Sequence, residues 1–149
     1  MSRLLVVEDI RDRADIERLV RAFYGRAMTD PMIGYLFTDI AQLDLEEHVP
    51  QITAFWETIL LGAQTYTGGA FAPHASLHRK SPLRAAHFER WLMLWHTTIQ
   101  EMFDGPRAAL AMVHADRVAR AFHRRLNGLP DDEPPGQSAP IQLTVTQHG

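Results

Sequence analysis

LEEHVPQITAFWETIL, residues 45–60, is the stretch whose reading decides the fold class. Leu45, Val49, Ile52, Phe55, Trp56, Ile59 and Leu60 recur at three- and four-residue spacing, one apolar stripe of a helix, and His48 lies on it. Asp44, with Glu47 three residues on, has the form of a capping pair. Pro50 conflicts with this pattern, because inside a helix it loses the bond to the carbonyl of Glu46 and clashes with it. Either the first turn is irregular or the regular helix begins near Val49.

The same periodicity extends in both directions. Towards the N-terminus, Ile16, Leu19, Val20, Phe23 and Ala27 mark one face of a helix from Arg13 to Met28, stopped by Asp30-Pro31. A short helix carrying Met32, Tyr35, Leu36 and Phe37 is expected next. Towards the C-terminus, Gly62 to Gly69 reads as a loop, and Pro73 opens a short helix through Lys80. Ser81-Pro82 is a stop, or the cap of the following helix. Phe88, Trp91, Leu92, Trp95, Ile99 and Met102 then form another stripe. Asp104-Gly105-Pro106 is a turn and restart, and Met112, Ala115, Val118, Ala119, Phe122 and Leu126 mark a last amphipathic helix. The expected fold is all-α, one domain over residues 1–128 with five or six helices. Residues 129–149 begin with a run rich in Pro, Asp, Gly and Ser and are expected to be a disordered tail. Within it Ile141–Thr146 alternates like a strand, but one isolated strand is not a fold.

Composition narrows the function classes. A 149-residue chain with 46% apolar and 22% charged residues is long enough to bury a core without staples. A net charge of −3 gives no electrostatic case for nucleic acid or an anionic membrane. No run approaches the roughly 20 apolar residues of a membrane span, and no signal peptide or anchor is read at the N-terminus. There is no cysteine, which excludes disulfides and thiolate-ligated metal centres and fits a reducing cytoplasm. Eight histidines and three tryptophans are the unusual features, so their placement carries the functional argument.

Taken singly, these residues have plain structural readings. His48, among large apolar neighbours, reads as a partly buried core histidine. Tyr24 reads as an amphipathic tyrosine at the edge of the core, and Trp56, Trp91 and Trp95 as core residues. His74 and His78, four apart, share a helix face, and with His87 they would make a zinc site, although no His-Glu-x-x-His sequence is present. No nucleophile elbow, phosphate loop or close carboxylate pair appears.

Their joint order changes the reading. Phe23-Tyr24 lies in a first helix, Asp30-Pro31 and Phe37 in a second, His48 and Phe55-Trp56 on a third. Leu77-His78 follows in a short segment, and His87-Phe88-Glu89-Arg90-Trp91-Leu92 opens a fourth helix. This arrangement resembles the truncated haemoglobins, most of all their third group, from about Ile16 to Leu126. The Gly-Gly pair after the opening helix that marks the first group is missing, and Gly68-Gly69 is differently placed.

The resemblance implies a shortened globin fold, helices layered two over two around a haem b (iron protoporphyrin IX). It implies His78 as the proximal iron ligand, Tyr24 as the donor to bound oxygen and His48 as the distal gate. Phe37 corresponds to the aromatic wedged against the haem, Trp91 to the tryptophan near the ligand, and Trp56 to a pocket-lining position; Ile52 lies on the same distal stripe. Arg79, Lys80, Arg84, His87 and Arg90 cluster near His78 in sequence and form either a cationic rim for the haem propionates or a solvated basic face. The implied partners are O2, NO, CO or other small haem ligands and a reductase of unknown identity, with a monomer or weak dimer expected. Reversible oxygen binding is the core expectation, with NO dioxygenation and peroxidase-like chemistry compatible with it. The alternatives are a haem-free helical sensor or interaction domain with a globin-like fold, and the zinc protein above.

Overall fold

The computed structural model describes residues 7–64, 66 and 68–128. The expected tail, 129–149, lies outside the described residues, and the strand-like stretch Ile141–Thr146 with it. Five α-helices follow one another: α1 (Arg13–Ala27), α2 (Leu45–Leu61), α3 (Phe71–Lys80), α4 (Ala85–Met102) and α5 (Pro106–Leu126). There is no strand among the described residues. α1 packs on α2 and α4, and α5 packs on α4 and α2, so two helix pairs cross as two layers. α3 lies outside them, against α5 and the turn that follows α1.

Each boundary has a local cause. Asp12 caps α1 by accepting from Asp15 N at 3.0 Å. Asp12→Ala is expected to lower stability by about 1 kcal/mol in denaturant titration. Asp44 accepts from Glu47 N at 3.3 Å and starts α2 at Leu45, before the proline. α2 thus runs through Pro50 instead of beginning near Val49. A proline in a helix interior costs ~3 kcal/mol; burial of Val49, Thr53, Trp56 and Leu60 on the same helix offsets it. Gly62, at φ 74°, takes the left-handed conformation that ends α2. α3 begins at Phe71, two residues before expected, which places Pro73 in the first turn where its missing N–H is harmless. Ser81 closes α3, and α4 has its own cap at Arg84.

The expected short second helix is instead a tight corner ending in a π-helical turn, Leu36–Ile40, where Ala41 N reaches Leu36 O at 2.9 Å. Asp30 organises this corner. Its Oδ2 accepts from Met32 N and Ile33 N at 2.9 and 3.0 Å. Its Oδ1 accepts from Arg90 Nε and Nη2 at 3.0 and 2.6 Å, tying α4 to the turn after α1. Gly34 belongs here because a Cβ would meet the Met28 carbonyl oxygen at 2.7 Å.

The core is built by Ile10, Ile16, Leu19, Val20 and Phe23 against Trp95, Ile99 and Phe103. α5 presents Ala108, Ala111, Ala115 and Ala119, and this shallow face lets the Trp95 indole donate to the Ala111 carbonyl at 3.2 Å. Two buried carboxylates make the fold acid-sensitive. The Arg11 guanidinium holds Asp15 well below the usual carboxylate range, and Arg90 depresses Asp30. A depressed carboxylate binds fewer protons folded than unfolded, so its contribution is complete above the unfolded pKa of about 3.9 and is lost as pH falls below it. Thermal midpoints are expected to stay level down to about pH 4 and then drop, less steeply in Asp30→Asn. An unchanged acid limb in that variant would assign the effect to Asp15.

Candidate functional site

Tyr24 follows the core residue Phe23 on α1, and helical geometry turns it off the core face. Its ring meets Phe23 edge-on at 4.9 Å and Phe37 at 5.7 Å. Phe23 in turn touches Trp91 of α4 at 5.7 Å. Tyr24 and Trp91 thereby meet on one buried phenylalanine, and Phe37 joins them through the Tyr24 ring, so three separate segments contribute. Tyr24 sits deep within the protein, yet part of its side chain remains accessible. Burial pushes its phenol up to about 12, so the hydroxyl keeps its proton at physiological pH. Neither the Tyr24 hydroxyl nor the Trp91 indole N–H has a hydrogen-bond partner among the described residues, which leaves both donors unspent.

Two histidines are oriented by one nitrogen each. His48 Nδ1 lies 2.9 Å from the Asp44 carbonyl, which makes it the donor and leaves Nε2 free. Ile52 follows one turn later on the same face of α2, half-buried like His48. His78, half-buried near the end of α3, has its Nδ1 2.9 Å from the Leu83 N–H, so Nδ1 accepts and Nε2 is again the free nitrogen. Metal-bound histidines usually donate through the second nitrogen. Here ligation through Nε2 requires its proton to leave or the ring to turn. α3 buries none of its residues although it carries Phe71, Leu77 and His78. A helix with apolar and ligating side chains but no buried residue fits one wall of a site for a large apolar group.

Residues 6–123 match the family model of bacterial-like globins. The chain belongs to that family. A group 3 truncated haemoglobin from Campylobacter jejuni is 27% identical over 118 residues, covering 77% of this chain and 91% of that protein. The crystal structure of a group III truncated haemoglobin from Campylobacter jejuni aligns with a TM-score of 0.70 at 24% identity, covering 81% of this chain and 95% of that one. At that identity the structural likeness is one of fold, and it agrees with the two-layer helix arrangement described above.

Within this globin, several of the residues expected at the site are engaged by other parts of the fold. Trp56, expected as a pocket-lining residue, is 4% exposed and stacks on Trp95 inside the core. Arg90, expected on the cationic rim, spends its guanidinium on Asp30. His87 accepts from the Arg84 N–H at 2.8 Å through Nδ1, and its Nε2 lies 3.5 Å from the Tyr35 hydroxyl. Burial, helped by the Arg84 charge, pushes its pKa down and keeps it neutral, so it caps α4 rather than supplying charge. Arg79, Lys80 and Arg84 form no ion pair among the described residues and are the cations left for an anionic group. No group of three or more His, Cys, Asp or Glu among the described residues could hold a metal, so His74, His78 and His87 do not converge on zinc. His74 instead donates to the Ala70 carbonyl at 2.7 Å and packs against Phe122. Among the described residues no helix is long and apolar enough to cross a membrane.

The role of Asp30 escaped the sequence reading, in which Asp30-Pro31 is only a helix stop. An Asp before Pro is also the form of an Asx cap, which is the signal that was available.

Proposed function

We propose that this globin holds a haem through His78 and binds a diatomic gas, O2, NO or CO, under the control of Tyr24, Trp91 and His48. One observation carries the reading: the deeply placed Tyr24 hydroxyl and the Trp91 N–H both lack a partner among the described residues. Both donors are therefore open to a ligand that accepts from them. Haem b fits, because there is no cysteine for a covalent thioether attachment. A haem, when bound, supplies an iron with one open coordination position for the gas.

The chain's own residues do the rest. Phe37, Ile52, Phe88 and Leu92, all partly buried, supply apolar surface for the macrocycle. Arg79, Lys80 and Arg84 supply charge for its carboxylates. Tyr24 and Trp91 donate to the ligand, and His48, whose Nδ1–H is spent on the Asp44 carbonyl and whose Nε2 carries the lone pair, stands as a gate. NO dioxygenation or peroxide reduction would draw on the same donors and on an external reductase, and a cytoplasmic location agrees with cysteine-free chemistry.

An absorption spectrum of the purified protein, as isolated and then reduced under carbon monoxide, tests this. A Soret band that shifts on carbon monoxide addition is the expected result. No band even after haem is added would overturn it in favour of a haem-free helical sensor or interaction domain.

A further inference from the structure

All three tryptophans of the chain stand in a single stack. Trp91 lies parallel to Trp95, ring centroids 6.0 Å apart and planes inclined by 7°. Trp95 faces Trp56 at 4.8 Å and 25°. α4 supplies the first two, one turn apart, and α2 the third. From Trp56, aromatic contact continues through Phe55 at 5.1 Å to the half-buried Tyr66, another 5.2 Å on. The neighbouring contacts of Phe23 and Phe55 are edge-on, at 77° to 87° between planes for Tyr24, Trp91, Trp56 and Tyr66. Among the described residues, near-parallel ring planes are thus confined to the indoles, and the line they form ends, through Phe55, at a phenol.

We propose that this stack is an electron conduit, carrying electrons from Tyr66 to an oxidant bound beside Trp91. The identity of the oxidant rests on the haem reading above: a hydroperoxide, reduced by two electrons and two protons to an alcohol and water. Each electron leaves the Tyr66 phenol, whose proton passes to solvent, and moves through Trp56 and Trp95 to Trp91. Trp95 keeps its own proton, because its N–H donates to the Ala111 carbonyl, which is too feeble a base to remove it. The tyrosyl radical is restored by a hydrogen atom from a small phenolic or ascorbate-type reductant. Two such cycles balance one hydroperoxide, the two protons it consumes being those Tyr66 released.

Azide radicals made by pulse radiolysis oxidise tryptophan without involving haem. In the protein as purified, tryptophanyl absorption is expected to decay as tyrosyl absorption grows, at a rate independent of protein concentration. Tyr66→Phe should remove most of the tyrosyl signal, and Trp95→Phe should slow its growth by at least about tenfold. An unchanged signal in Tyr66→Phe, or an unchanged rate in Trp95→Phe, overturns the conduit. Peroxide added to the haem-loaded protein, followed by freeze-quenched electron paramagnetic resonance, then checks the oxidant: a tyrosyl radical absent from Tyr66→Phe is expected. Radiolytic transfer in a protein that binds no haem would uphold the conduit and sink the haem reading. Haem binding without transfer to Tyr66 would do the reverse.

Discussion

His78→Gly is expected to lose stable haem, its Soret absorbance per protein falling to a small fraction of the parent's. His78 is the one histidine on the last turn of α3, and ligation would exchange its present contact with the Leu83 N–H for the iron. Loss of an outer-shell partner alone costs about 10–100-fold in metal affinity, and loss of the ligand costs more. The fold should tolerate the change, since α3 contributes no buried residue to the core. Helical circular dichroism close to the parent's, with the haem gone, is the expected pair of results. Added imidazole should then restore a Soret band by filling the space left by the side chain. Full haem retention without imidazole would move the ligand to His74 or His87. Of these His74 is the better placed, because its Nδ1 already donates to its own helix and its Nε2 is free. His87 would have to give up its cap on Arg84.

What the sequence made legible follows from the range of the forces involved. Periodicity and punctuation act within a turn or two, so α1, α4 and the restart of α5 at Pro106 fall where the stripes and the Asp104-Gly105-Pro106 turn put them. Features that depend on distant partners were not legible. α5 is capped by Asp9, whose carboxylate accepts from Arg107 N at 3.0 Å and Ala108 N at 2.9 Å, 98 and 99 residues away in the chain. No local pattern announces that bond. Arg90 stands beside His87 in sequence and so reads as part of a basic rim, but its partner Asp30 lies 60 residues away and claims it. Trp56 reads as a pocket residue by its place on the distal helix, and Trp95 of α4 claims it for the core. Pro50 shows the converse: a strong local rule against helix gives way to a buried stripe and an Asp44 cap. Tyr24, Phe37 and Trp91 were legible as a set through the family resemblance, because what identifies them is order and spacing along the chain. That Phe23 joins Tyr24 to Trp91, while Phe37 packs on Tyr24, is a fact of packing.

Tyr24→Phe is expected to speed oxygen dissociation from the reduced protein by about 10–100-fold, measured by stopped-flow displacement with carbon monoxide. The magnitude comes from the donor. A hydrogen bond to a charged acceptor is worth about 1.5–3 kcal/mol net, and each ~1.4 kcal/mol is a factor of ten in rate. The Tyr24 phenol, pushed up to about 12 by burial, is fully protonated at neutral pH, and no acceptor among the described residues competes for its hydrogen. Phenylalanine keeps the edge-on contacts with Phe23 and Phe37, so the change removes a donor while leaving the packing in place. Carbon monoxide carries less charge on its outer atom than oxygen does, so its dissociation should change far less, and that contrast separates a lost hydrogen bond from a widened pocket. If both rates rise together, the pocket has opened. If neither moves, Trp91 is the main donor, and Trp91→Phe, which spares every contact of Tyr24 with Phe23 and Phe37, becomes the variant in which oxygen escapes fast.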